Sequence, residues 1–222
     1  MFKRKLTFGD FFLILVNLVP LYGVWFEGWD PKMIFLVYCL ETLIVGAVNV
    51  MKMAMVTILV TPKENWNNNG KFSLVSGWFF IFFFIVHYGF FVLIQTQLFF
   101  GVSGLIKDNS LFGGYAQIPE ILGSEGKLLL AIFAMYYTLQ AFFEFFQSGQ
   151  YKNITLTRLM FQPYSRIIIQ QLIVILGSMF LVFGAGKVFM LVMVLVKLFF
   201  ELYINFDRYL ALAEKMNSKG DN

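Results

Sequence analysis

Apolar residues fall into six long, almost unbroken runs, at roughly 8–26, 33–60, 73–101, 128–148, 164–186 and 188–210, with polar residues gathered between them. A membrane-spanning helix needs about 20 mostly apolar residues, so each run is long enough. The runs are continuous rather than alternating at every second position, which predicts helices and not barrel strands. The second and third exceed what a bilayer requires and are expected to tilt or to extend past the lipid. Lys3, Arg4 and Lys5 precede the first run like the charged start of a signal peptide. The run continues through Pro20, Tyr22 and Trp25 without a small-x-small cleavage site, so a retained signal-anchor helix is expected. The architecture this pattern predicts is all-α: a polytopic membrane bundle of six transmembrane helices, one domain over 1–222, and no soluble domain.

The connections carry the orientation. Ten Lys and Arg lie at the N-terminus, in the second and fourth loops and in the C-terminal tail, against four in the other connections (Lys32, Lys107, Lys127, Lys187). The excess places both termini in the cytoplasm of a multi-pass protein of the inner, plasma membrane. Trp25 and Trp29 flank a short outer turn closed by Asp30-Pro31, at the level where aromatics anchor in headgroups. Positions 63–69 read as a polar cytoplasmic turn. The stretch 101–127 reads as the longest extracytoplasmic loop, with Gly and Ser spread through it.

Composition agrees and excludes much else. The chain of 222 residues is 59% hydrophobic and 14% charged, with 29 Phe, and its mean hydropathy is +0.74. An ordinary globular domain is about 45–50% apolar and about 25% charged. Such a chain needs lipid to cover its apolar surface. Disorder, a disulfide scaffold (Cys39 is the single cysteine) and nucleic-acid binding are excluded; the net charge of +4 reports orientation instead.

Polar residues inside the runs are then the informative ones. An ionisable side chain at the centre of a spanning helix costs about 2.5–3.5 kcal/mol on insertion scales and normally turns inward to a partner. On the second run Glu41 and Lys52 are 11 residues apart, which at about 100° per residue returns them to nearly one face, with Asn49 close by. On the fourth, Gln140, Glu144 and Gln147 form a stripe, joined by Tyr137; on the last, Lys197, Glu201, Asn205 and Arg208 do the same. Arg166, Gln170 and Gln171 open the fifth run, and His87 and Gln95 sit on the third. The orientation puts Lys52, Glu144, Arg166, Gln170, Glu201 and Asn205 in the cytoplasmic half, His87 and Lys197 near the middle, and Glu41 and Gln95 in the outer half. The candidate intramembrane site is therefore Glu41, His87, Gln95, Glu144, Arg166, Gln170, Lys197 and Glu201.

Structural alternatives stand beside that reading. Lys197 and Glu201 can neutralise one another at i, i+4, and Glu144 with Arg166 can lock two helices. Lys52 is close enough to a helix end to snorkel. His87, the one histidine, lies among phenylalanines, where a hydrogen-bonded interior role is common. Gln95 lies about 12 Å along a straight helix from His87 at 1.5 Å per residue, so the polar groups can form one cavity or two.

Motifs for known chemistry fail on inspection. Gly101-Val102-Ser103-Gly104 resembles the Gly-x-Ser-Gly of rhomboid intramembrane proteases, but Ser103 follows the end of a helix instead of opening one, and no histidine follows His87 to activate it. The Gly184-Ala185-Gly186-Lys187 turn lacks Walker spacing, and no histidine or cysteine pair has zinc-ligand spacing. No cofactor is expected, and no metal; Glu41 and His87 are the weak candidates for one.

Three segments carry a resemblance: His87-Tyr88-Gly89 with Gln95, Pro163-Tyr164-Ser165-Arg166-Ile167 with Gln170, and Leu195-Val196-Lys197 with Glu201. With Glu41 they resemble an uncharacterised family of polytopic bacterial inner-membrane proteins, a domain of unknown function, over most of the chain. The resemblance implies histidines in relatives where this chain has Gln95 and Gln170, and an acidic residue at Glu201. Glutamine hydrogen-bonds but neither titrates nor serves well as a transition-metal ligand, which weighs against catalytic metal here.

The favoured reading is a small transporter, channel or ligand binder whose polar core takes an ion, a proton or a small polar ligand. A membrane-embedded enzyme, metal-assisted, on a lipid or quinone-like substrate stays open, with Glu41 and His87 as its acid, base or ligand residues. So does a structural or assembly subunit. Membrane lipid is the expected partner; a homodimer is a candidate without a Gly-x-x-x-Gly stripe to support it.

Overall fold

The computed structural model describes residues 8–60, 63–68, 71–106, 113–164 and 167–203, apart from 170, 172, 174–176, 178, 179, 181 and 182. For Phe8, 63–68, 71–73, Glu201 and Tyr203 it describes the backbone alone. Lys3, Arg4, Lys5, Lys107, Arg166, Gln170, Asn205, Arg208, Lys215, Lys219 and the side chain of Glu201 thus lie outside the described residues.

Helix α1 spans Phe8–Phe26, α2 Pro31–Leu59, α3 Gly77–Ser103 and α4 Gly113–Gln140, which continues as a π-helical segment, Ala141–Gln147. A single 3-10 turn at Gln150–Lys152 leads to α5 (Leu156–Phe161), the described positions from 167 to 180 are helical, and α6 covers Gly186–Tyr203. Apart from one hairpin the described fold is all-α. Among the described residues, four helices are long and apolar enough to cross a membrane: Gly9–Phe26, Pro31–Leu59, Gly77–Ser103 and Gly113–Gln147. Helix α6 has 18 residues and includes Lys187, Lys197 and Glu201.

Two departures from the sequence reading have local causes. Where a turn is expected at 63–69, and a helix from 73, strands β1 (Lys63–Asn68) and β2 (Lys71–Ser76) pair antiparallel, with Asn68 opposite Lys71. The intervening sequence is Asn69-Gly70, the strongest short-range hairpin signal. Where an open loop is expected up to 127, α4 begins at Gly113 and bends at Gly123, whose φ of 58° and ψ of −157° are not helical. Packing outweighs the poor helix propensity of Gly113, Gly114 and Pro119. Tyr115 packs edge-on against Phe100 at 5.6 Å and donates to the Leu93 carbonyl at 3.3 Å.

The chain divides into two compact units. One comprises Met1–Ile44, Phe91–Tyr136 and Arg166–Ile204; the other comprises Val45–Phe90, Tyr137–Ser165 and Asn205–Asn222.

In the first unit α2 is the central element: every residue from Met33 to Thr42 is buried, the condition of a helix surrounded on all sides. Asp30 caps it, accepting from the Lys32 amide at 2.9 Å, with Pro31 in the first turn where its missing N–H costs nothing. The Lys32 ammonium reaches the Ser103 carbonyl at 2.7 Å, fixing the start of α2 to the end of α3. Helix α1 packs against α6. Phe35 contacts Phe99 at 4.6 Å and Phe189 at 5.4 Å.

In the second unit Asn49 is buried and donates to the Leu159 carbonyl at 2.9 Å, tying α2 to α5. Thr155 caps α5 by accepting from the Arg158 amide at 3.2 Å. Gly46 faces the Tyr88 ring so closely that a Cβ there would lie 2.5 Å from it. Phe80 and Phe84 fill the interior, while Phe79 and Phe82 are exposed.

Candidate functional site

The first unit holds the buried charges. Glu41, on the fully enclosed part of α2, is 0% exposed, and Lys197, on α6, is 5% exposed. The Lys197 ammonium forms a hydrogen-bonded ion pair with Glu41 Oε2. It also lies 4.4 Å from the centre of the Tyr38 ring and 5.0 Å from that of Phe133. Tyr38 is three residues before Glu41 and so shares its helix face; Phe133 comes from α4 and packs against Tyr38 at 5.7 Å. The lysine headgroup thus has a carboxylate on one side and two aromatic faces on others. Cation–π contacts of this kind contribute about 2 kcal/mol or more when desolvated.

Tyr38 is itself held in place. Its hydroxyl donates to the Asn17 carbonyl at 3.4 Å, and Asn17, buried on α1, donates from Nδ2 to the Leu13 carbonyl at 2.9 Å. Beside the ion pair, Phe35, Tyr38, Cys39, Gln95, Ile173, Met193 and Lys197 line a cavity with about 10 Å³ open to the centre of a water-sized sphere. That is close to the least space a single water requires. Gln95 is fully buried there, and the neighbouring Thr96 satisfies its hydroxyl on the Val92 carbonyl at 2.8 Å.

A different arrangement occupies the second unit. His87 Nδ1 and the Tyr164 hydroxyl share a hydrogen bond of 2.7 Å. The imidazole stacks on Phe83 with centroids 5.2 Å apart, and Tyr164 meets Tyr88 edge-on at 5.8 Å. Two of the motifs singled out in the sequence, His87-Tyr88-Gly89 and Pro163-Tyr164, therefore meet. His87 is exposed on α3. Glu144 is also exposed, on the π-helical segment, and accepts from Gln140 Nε2 at 3.0 Å. Lys52 is half-buried, with its ammonium 5.4 Å from the Phe145 ring centre.

Of the eight candidate residues, Glu41, Gln95 and Lys197 fall in the first unit, and Lys197 joins the other two there, bonded to Glu41 and lining the cavity with Gln95. His87 and Glu144 fall in the second. Arg166, Gln170 and the Glu201 side chain lie outside the described residues. Among the described residues no three His, Cys, Asp or Glu side chains group as a metal site would require. Sequence reasoning missed Asn17, Tyr38 and Phe133. Asn17 carried a signal, a lone amide inside the apolar run of α1; Tyr38 and Phe133 carried none that separates them from core aromatics.

The model of a family described as a family of unknown function (DUF6498) matches residues 1–218. The comparisons with curated proteins and with solved structures return no match.

Proposed function

We propose that this chain, which belongs to the family of unknown function DUF6498, moves a proton or a small cation through the membrane at the buried Glu41–Lys197 pair. In this reading it crosses a bacterial-type inner membrane six times, with both termini cytoplasmic. The four long apolar helices, the helical positions before residue 180, α6 and the bias of basic residues support that path.

One observation carries the functional reading: an ion pair buried on both sides, beside a water-sized cavity that Lys197 and Gln95 line. Either charge alone in that place would be strongly unfavourable, and the pair is tolerated because each compensates the other. A proton delivered to Glu41, or a cation delivered to its carboxylate, leaves Lys197 without its counter-charge, so that the lysine gives up a proton in turn. Such an exchangeable charge is what a carrier of small cations needs.

The test is charge movement in vesicles. Purified protein is reconstituted, an inside-negative potential is imposed, and a potential-sensitive dye follows its decay with N-methylglucamine, Na+, K+ or NH4+ outside. The wild-type chain is expected to speed the decay in at least one of these media, with Glu41→Gln returning it to the rate of protein-free vesicles. Equal rates for wild type, Glu41→Gln and empty vesicles in every medium would sink the proposal.

A further inference from the structure

Three features surround the Lys197 headgroup: the Glu41 carboxylate, the Tyr38 ring at 4.4 Å and the Phe133 ring at 5.0 Å. One carboxylate with two aromatic faces is a poor set for Na+ or a divalent ion, which require several oxygen ligands. It suits an ammonium group, whose weakly held charge is attracted to ring faces while its N–H groups bond to a carboxylate. Lys197 brings that ammonium on a flexible four-carbon stem. Lys197 also borders the adjoining cavity, which has room for about one water and hence for one ammonium headgroup.

We infer that Glu41, Tyr38 and Phe133 form a cage for an ammonium cation, that Lys197 is its tethered occupant, and that the solute is a small primary ammonium ion which displaces the lysine. The exchange balances in charge because Lys197 gives up its proton to solvent: an incoming monovalent ammonium takes the place of the lysine ammonium on the carboxylate, and the neutral lysine amine steps into the neighbouring cavity. Gln95, fully buried at the cavity wall, supplies an amide oxygen for the displaced headgroup to donate to. No new buried charge is left without a counter-ion, because one proton leaves Lys197 as one ammonium ion enters and Glu41 remains ionised throughout.

This inference rests on the Glu41–Lys197 pair being the transport site. The probe is methylammonium chloride, matched in ionic strength with NaCl, on the full chain in detergent micelles. The variant Lys197→Ala empties the cage and is expected to bind methylammonium saturably in calorimetry, at least tenfold more tightly than the wild type. Adding Phe133→Leu should weaken that binding at least tenfold. The wild-type chain offers a second measurement through its single cysteine, Cys39, which is buried in the cavity wall. Methylammonium should slow Cys39 modification by methyl methanethiosulfonate at least threefold, and the bulkier tetramethylammonium should not. Absence of methylammonium binding by a folded Lys197→Ala chain, or Cys39 rates equal in methylammonium and NaCl, overturns the inference. If Lys197→Ala does not fold, the Cys39 measurement decides. Glu41-dependent charge movement without Cys39 protection removes the ammonium assignment alone; loss of that dependence removes the site beneath it.

Discussion

Lys197 and Glu41 stand 156 residues apart in the chain and form a buried ion pair between α6 and α2. Removing one partner leaves the other charged in a place with little water. Glu41→Gln is therefore expected to destabilise the protein by about 3–5 kcal/mol. The double variant Glu41→Gln with Lys197→Met should recover most of that, since neither buried charge then remains. Denaturant unfolding in micelles, followed by circular dichroism, reads both. A single variant as stable as the wild type would show that the pair is not buried in the working protein.

How this pair escapes the sequence is instructive. Hydropathy marks Glu41 and Lys197 as out of place in lipid, and so picks both out. Helical periodicity relates residues within one helix, and there it offers Lys197 only Glu201, one turn away. Nothing in a one-dimensional pattern matches a lysine on the last helix to a glutamate on the second. The four long apolar helices were legible, apart from the start of α4, because runs of about 20 apolar residues have few other uses. Which face of α3 turns inward was not: Phe80 and Phe84 are buried, yet Phe79 and Phe82 are exposed. In lipid both faces of a helix are apolar, so the contrast that reveals an inward face in water is missing. The hairpin is a different case. Asn69-Gly70 announced it, but the surrounding polar residues read as a turn alone.

Close approach of a helix to an aromatic ring gives the next expectation. A Cβ on Gly177 would lie 1.8 Å from Phe189 Cζ, so Gly177→Ala must push aside a ring that also contacts Phe35 at 5.4 Å. Overpacking of this sort costs about 1–3 kcal/mol. The thermal midpoint of Gly177→Ala should fall, and Phe189→Leu added to it should raise the midpoint again. If Phe189→Leu is equally harmful with Gly or Ala at 177, the two positions do not touch.

The hydrogen bond between His87 and Tyr164 can be measured by a double-mutant cycle. His87→Phe keeps a flat ring against Phe83 and removes the nitrogen; Tyr164→Phe removes the hydroxyl. Interhelical polar contacts in membranes average about 0.6 kcal/mol and reach about 1.7 kcal/mol. The coupling between these two substitutions should fall in that interval when unfolding free energies are compared. Strict additivity would mean that the bond is not made in micelles or bilayers.

The bend in α4 depends on backbone freedom rather than on contacts. Gly123 has φ 58° and ψ −157°, a combination that residues with a Cβ avoid at a cost of about 1–3 kcal/mol. Gly123→Ala is expected to lower the thermal midpoint accordingly. Gly101 provides the internal comparison, since it lies within α3 and an added Cβ would meet nothing within 4 Å. There alanine improves helix propensity by about 0.8–1.0 kcal/mol, so Gly101→Ala should match or exceed the wild type. The two variants add the same methyl group and differ chiefly in the backbone that must accept it, since the one atom close to a Cβ at 123 is Glu125 Oε2 at 3.2 Å, the end of a flexible side chain. Equal effects from both would therefore show that Gly123 does not hold the left-handed conformation in the folded protein, and that α4 runs straight through it.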